Sequence, residues 1–307
     1  MGNKTKVMPL IAIIGTSFIW GLSFLSIKVA IGVLPPMTLA LSRFVIASIL
    51  LTILFKIKEK NVKIKKGDIP IMALAGFLGV TVYFYFENNG VKLIAASNAA
   101  IIIAAIPIFT LIFETIVFKT KITLKKIASV LISLIGVYFI VGARIEGVST
   151  KDAWIGYLMM FGAVLAWVVY TLITKPLFKK YSQLSIVYYQ TLFGTVFLLP
   201  FALFEKTNWG LVNNAIILNV VYLGVFCSAL GYYLYIYAMN YIGISTASLF
   251  LNFIPVVATI GGYFILDEKI GFSQVFGGSL VIFAVYLISW NESVDSKLDE
   301  TKSLIID

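Results

Sequence analysis

Histidine is absent from this 307-residue chain, cysteine occurs once, and charged residues make up only 12% of it. Without histidine there is no imidazole to shuttle protons near neutral pH and no usual zinc ligand. The single Cys227, inside an apolar stretch, excludes a disulfide or a thiolate cluster within the chain and reads as a small packing residue. The sequence also has no His-Glu metal motif, no paired aspartates in its apolar stretches, no Gly-rich phosphate loop and no Ser-His arrangement. Neither an enzyme nor a nucleotide-driven pump is expected, and no cofactor or metal is implied. Rings of pore-lining charge or a filter, which a channel requires, are missing as well.

What is present is apolar length. The chain is 60% hydrophobic with a mean hydropathy of +1.00, and its apolar stretches reach the roughly 20 helical residues that cross a hydrocarbon core. The spacing predicts spans at 8–28, 37–55, 69–90, 95–117 and 124–143, then at 154–174, 184–204, 215–239, 245–266 and 272–290. The fold class is therefore an all-α polytopic membrane protein of ten transmembrane helices. Lys4 and Lys6 precede the first run, which lacks a small-residue cleavage site and is kept as a helix rather than a signal peptide.

The second half repeats the first at an offset of 147 to 148 residues. Trp20, Leu25 and Lys28 return as Trp167, Leu172 and Lys175; Ile94, Ser97, Ala99, Ile106 and Pro107 return as Ile242, Ser245, Ala247, Ile254 and Pro255. Five spans per copy is an odd number, so the copies point opposite ways through the membrane, the inverted-repeat plan of many secondary transporters. The chain divides into a first repeat at 1–147, a second at 148–290 and a polar cytoplasmic tail at 291–307. With both termini inside, seventeen basic residues fall in cytoplasmic segments, including Lys56, Lys58, Lys60, Lys63, Lys65 and Lys66. Six fall outside: Lys28, Lys92, Arg144, Lys151, Lys206 and Lys269. The basic balance, pI about 9.4, is thus topological, and no nucleic-acid module is present.

Several segments together resemble the EamA family of the drug/metabolite transporter superfamily. They are Trp20-Gly21-Leu22-Ser23-Phe24 ending at Lys28, Ser42-Arg43-Phe44, the passage from Glu87-Asn88 to Ala95-Ala96-Ser97-Asn98-Ala99, and the duplicated proline of the fourth helix. The resemblance covers residues 8 to 290. It implies a ten-helix bundle around a central cavity that exports amino acids or other small metabolites, some members being coupled to ion gradients. Family repeats commonly carry a glutamate just after the fourth helix; the second half has Glu268 there and the first has Thr120.

Ionisable groups inside spans are costly to insert and are functional candidates by default. Arg43 and Glu87 are expected in the same half of the bilayer, sharing an ion pair or hydrogen-bond network at the outer end of the cavity. That pair either locks two helices or contacts substrate. Their repeat equivalents, Gln190 and Tyr235, make a neutral pair expected near the inner side. Glu114, equivalent to Gly262, shares a face with Thr110, Pro107, Ala104 and Ala100. It either takes up a coupling proton, as Glu87 also could, or reaches the interface to pair with Lys119 or Lys121. Pro107 and Pro255 mark kinks beside the cavity or ordinary curvature. Asn88, Asn98, Asn252, Trp20, Trp167 and Tyr83 complete the expected lining.

The expected function is secondary export of amino acids or related amphipathic metabolites by alternating access. A passive facilitator, a multidrug or amine exporter, and an importer of the same fold are the alternatives. The expected partners are a small-molecule substrate, protons as the candidate coupling ion, and membrane lipid, in a monomer or homodimer of the plasma membrane.

Overall fold

The computed structural model describes residues 4–60, 62–94, 99, 102–120, 122–142, 151–266 and 270–288. Every regular element among them is helical. The first half contains α1 (Lys4–Ile31), α2 (Pro36–Lys58), α3 (Lys66–Leu93), α4 (Ile106–Phe118) and α5 (Leu124–Gly142). The second contains α6 (Lys151–Thr174), α7 (Gln183–Leu203), α8 (Asn214–Ile242), α9 (Ile244–Phe250, continuing as Ile254–Leu266) and α10 (Phe272–Ile288). By length and composition six of these helices can cross a bilayer: α2, α3, α6, α7, α8 and α9. Val7–Ser23 within α1, together with α4 and α10, are shorter apolar helices. Large apolar side chains also cover the outside, with Ile49, Leu158, Val196, Leu218 and Phe283 exposed. An exterior of that kind suits hydrocarbon, not water.

The two halves meet about a pseudo-twofold axis, and equivalent residues touch where it passes. Ser48 and Thr195, 147 residues apart, hydrogen-bond at 2.9 Å, and the rings of Trp20 and Trp167 lie edge-on with centroids 5.5 Å apart. The close approaches repeat likewise. A Cβ on Gly76 would lie 2.3 Å from the carbonyl oxygen of Gln190, and one on Gly224 would lie 2.9 Å from that of Arg43. Only glycine lets these backbones come so near, the packing that associates helices in lipid.

The second helices of the two halves run antiparallel and cap each other. α2 starts at Pro36 with no side-chain cap of its own, which leaves orphan N–H groups at its first turn. The Glu205 carboxylate, just past the end of α7, accepts from the Met37 and Thr38 N–H groups at 3.0 and 2.7 Å and from the Thr38 hydroxyl at 2.9 Å. Reciprocally Glu59, just past the end of α2, accepts from the Ser182 and Ser185 hydroxyls at the start of α7. Glu205→Ala should cost about 1–2 kcal/mol of stability through the lost cap, read as a lowered unfolding midpoint in detergent.

Two features depart from plain helical rods. Residues Phe77–Val82 of α3 and Leu223–Leu230 of α8 are π-helical, and these segments correspond in the repeat. Each shifts the phase of the side chains that follow, a device common at functional sites. Pro107 and Pro255 do not lie in the middle of an unbroken helix. Before α4 the helix is interrupted at Ala104 and Ala105, and Pro107 sits in the first turn after the break. In α9 a 3-10 turn, Leu251–Phe253, precedes Pro255 in the same way. Proline at a helix start removes no bond, because that N–H is an orphan already, so the sequence marks breaks here.

Candidate functional site

The residues that line one well-defined cavity come from both halves. On α1, Trp20, Ser23 and Ile27 recur on one face; α2 supplies Arg43; α3 supplies Tyr83, Phe84 and Glu87 just beyond its π segment. Ile103 and Ile106 line it from either side of the break before α4, and Trp167 enters from α6, Tyr232 from α8, and Leu251 and Ile254 from the broken α9. The cavity encloses about 560 Å³ of space free of atoms, part of it open to the exterior. It leans toward the end of the bundle that carries the turn between α1 and α2.

Arg43 and Glu87 both face this cavity yet form no ion pair. Arg43 Nε donates to Ser228 Oγ at 2.7 Å, from the π segment of α8, and the guanidinium carbon lies 4.8 Å from the Phe84 ring centroid. Glu87 Oε1 accepts from the Tyr83 hydroxyl at 2.9 Å, while its Oε2 is buried with no hydrogen-bond partner among the described residues. The sequence expectation was an ion pair or a shared hydrogen-bond network at one cavity; the two do line one cavity, and each is hydrogen-bonded to a neutral hydroxyl.

The expected neutral pair does not line the cavity. Gln190 donates to Thr174 Oγ1 at 3.1 Å and Tyr235 accepts from Trp167 Nε1 at 3.3 Å, both inside the core. The reason is visible in the repeat. Tyr170 occupies the position equivalent to Ser23, and its ring fills the space that Ser23 leaves open, packed so closely on α3 that a Cβ on Gly79 would lie 2.5 Å from it. One end of the pseudo-symmetric site is therefore open and charged, and the other is plugged by an aromatic ring. The Tyr170 hydroxyl is buried without a hydrogen-bond partner among the described residues, so Tyr170→Phe should leave the thermal midpoint unchanged or raise it. A drop of several degrees would show a hidden partner.

Two of the expected lining asparagines do structural work. Asn88 Nδ2 donates to the Pro36 carbonyl at 2.9 Å, tying the end of α3 to the start of α2. Asn252 Nδ2 donates to Ser133 Oγ at 2.8 Å, holding the break in α9 against α5. Asn98 and Glu268 lie outside the described residues. Glu114 is buried toward the opposite end from the cavity and pairs with a lysine at the end of α6; of the two loop lysines proposed for it, Lys121 lies outside the described residues. Glu114 Oε1 accepts from Lys175 Nζ at 2.6 Å, and its Oε2 accepts from Ser245. The Lys175 ammonium also sits 4.3 Å from the Phe118 ring centroid.

Sequence reasoning missed Ser23, Phe84, Ser228 and Tyr232 as site residues, and Lys175 and Ser245 as partners of Glu114. The repeat register had paired Lys175 with Lys28 and Ser245 with Ser97, but nothing in spacing says that they converge on a glutamate in the other half.

A chain built from two matching halves around such a cavity has known relatives. The EamA-like transporter family model matches residues 7–142 and 154–290. This chain belongs to that family. An uncharacterized transporter of Archaeoglobus fulgidus is 32% identical over 272 residues, covering 88% of this chain and 94% of its own. A probable terminal-alkyne amino-acid exporter of Streptantibioticus cattleyicolor is 28% identical over 281 residues, covering 91% and 92%. A solved crystal structure superposes with a TM-score of 0.77 at 16% identity over 92% of this chain and 97% of that one, a likeness of fold. Family membership and the apolar helices make this EamA chain an integral membrane protein and a transporter rather than an enzyme.

Proposed function

We propose that the protein is a secondary exporter of small amphipathic metabolites, amino acids above all, working by alternating access through ten membrane crossings with both termini cytoplasmic in the plasma membrane. The observation that carries this reading is the aromatic-walled cavity in which Arg43 and Glu87 stand unpaired with each other. Arg43 uses Nε on Ser228, so its two terminal amino groups are the part of the fork that can grip a carboxylate. Glu87 Oε2 is the acceptor for an ammonium, and Trp20, Trp167 and Tyr232 supply apolar and π surface for the body of the substrate. The name of the Streptantibioticus relative, an amino-acid exporter, favours the same class.

In this reading the conformation described is open toward the cavity end, and the Glu114–Lys175–Ser245 cluster together with Tyr170 seals the other. The broken α4 and α9 and the two π segments are the places where one half rocks against the other. Glu87, with one oxygen unpartnered, is the group that would exchange a coupling proton for substrate; Glu114 is the latch. The test is efflux from proteoliposomes loaded with labelled amino acids and, separately, amine drugs, with and without an imposed pH gradient. Gradient-driven amino-acid efflux is the expected result. Efflux indifferent to the gradient would make the protein a facilitator, and efflux of amines alone would remove the carboxylate role of Arg43.

A further inference from the structure

Positive charge outside the cavity is concentrated in the turn from α2 to α3. Lys56, Lys58, Lys60, Lys63, Lys65 and Lys66 are all exposed, and the only acids among them are Glu59 and Asp68. Both acids are turned inward and occupied. Glu59 accepts from Ser182 and Ser185, and Asp68 accepts from Lys180 Nζ at 2.6 Å and the Tyr181 hydroxyl at 2.8 Å. The hydrogen bond that Lys180 donates to Asp68 raises the pKa of Lys180, which keeps it charged. The Lys65 N–H donates to the Tyr181 oxygen at 2.9 Å, which ties the loop down further.

Setting the topology of a membrane protein requires only that lysines lie near a helix end. It does not require that the neighbouring acids be folded away and the backbone pinned to the other half of the molecule. The surroundings say what the lysines meet. α2 and α3 are both long and apolar enough to cross, so the turn joining them lies at headgroup level. Ile53, Leu54 and Ile57, in the last turns of α2, are exposed at 51%, 43% and 63%, a surface for acyl chains directly beneath the ammonium groups. Lysine stems can lie along that surface while their charges stay at the level of the phosphates.

We propose that this loop is a docking site for anionic phospholipid headgroups, in which the engagement of Glu59 by two serine hydroxyls and of Asp68 by Lys180 leaves the outward lysines free to bind phosphate. The inference does not depend on what is transported or on which side of the membrane the loop faces. Each lysine near an anionic surface is worth about a fivefold preference, and the effect weakens with salt.

The test uses the whole protein in detergent, supplied with phosphatidylglycerol and phosphatidylcholine together, with retained lipid counted by native mass spectrometry. Retention of phosphatidylglycerol over phosphatidylcholine by about tenfold or more is expected. It should be lost in the variant Lys58→Gln/Lys60→Gln/Lys63→Gln/Lys65→Gln and kept when the same four positions carry arginine. An unchanged unfolding midpoint of the glutamine variant in phosphatidylcholine alone would support loss of a ligand instead of loss of fold. Equal retention by wild type and the glutamine variant would overturn the proposal. So would wild-type retention that added salt does not reduce, an outcome that can be read even if the glutamine variant does not fold. Inorganic phosphate displacing the lipid at equal concentration would reassign the site to a soluble anion.

Discussion

Glu87→Gln is expected to lower amino-acid efflux about ten- to a hundredfold, the worth of a charge-assisted hydrogen bond of about 1.5–3 kcal/mol, with little change in stability. The asymmetry follows from the geometry. Glu87 Oε1 accepts from Tyr83, a bond that an amide oxygen can still make, whereas Oε2 meets no hydrogen-bond partner among the described residues. An amide nitrogen placed at Oε2 would present donors to a substrate ammonium that offers only donors itself. Arg43→Lys should lose a comparable factor, because the three donors of a lysine share one nitrogen, which cannot hold Ser228 and also offer a carboxylate the planar pair of terminal nitrogens that arginine presents. The measurement is initial efflux rate in proteoliposomes, paired with the thermal midpoint of each variant. Full transport by Glu87→Gln would mean that the two cavity charges are structural and that substrate is held by the aromatic walls.

The second large effect concerns the far end of the molecule. Lys175→Met should be markedly destabilising, because it leaves the Glu114 carboxylate buried with only Ser245 as partner, and breaking a buried pair from one side costs about 3–5 kcal/mol. The partial exposure of Lys175, 30% of its side chain, places the expected cost at or below the lower end of that range. The double variant Glu114→Gln/Lys175→Met should recover much of the loss, since no uncompensated charge remains. If the cluster is a latch, the recovered double variant will still transport poorly, because the seal opposite the cavity no longer closes. Should it transport at the wild-type rate, the cluster is a static tie between α4, α6 and α9. A double variant no more stable than Lys175→Met would mean that burial of the charge is not what the lysine offsets.

Both experiments turn on contacts between the halves, and there the reading of the sequence reached its limit. The offset of 147 to 148 residues was legible from Trp20 and Trp167 and from Pro107 and Pro255, because the repeat preserves register even where identities are few. It could not say that Ser48 would meet Thr195, or that Glu205 would cap α2, since no local pattern encodes a partner 147 or 168 residues away. The prolines were seen but misplaced: a proline deep in an apolar run looks like a kink until the helix is found to have ended before it. The π segments left no mark in hydropathy, for an extra residue in one turn changes phase without changing composition. Arg43 and Glu87 were expected to share a cavity, which they do, but as an ion pair they do not meet, for a related reason. Residues at the same depth need not face each other, and here Ser228 and Tyr83 stand closer to each charge than the opposite charge does.

What the sequence determined by itself was the solvent, the helical class, the twofold repeat and the small set of charges worth suspecting. Each follows from the cost of exposing backbone and charge to hydrocarbon, which every residue registers locally. Tertiary structure decided which charges share a cavity, that Glu114 is neutralised by Lys175, and that Tyr170 fills at one end the space that Ser23 leaves at the other. Those are outcomes of packing between helices far apart in the chain, where the volume of a single side chain decides whether a pocket exists.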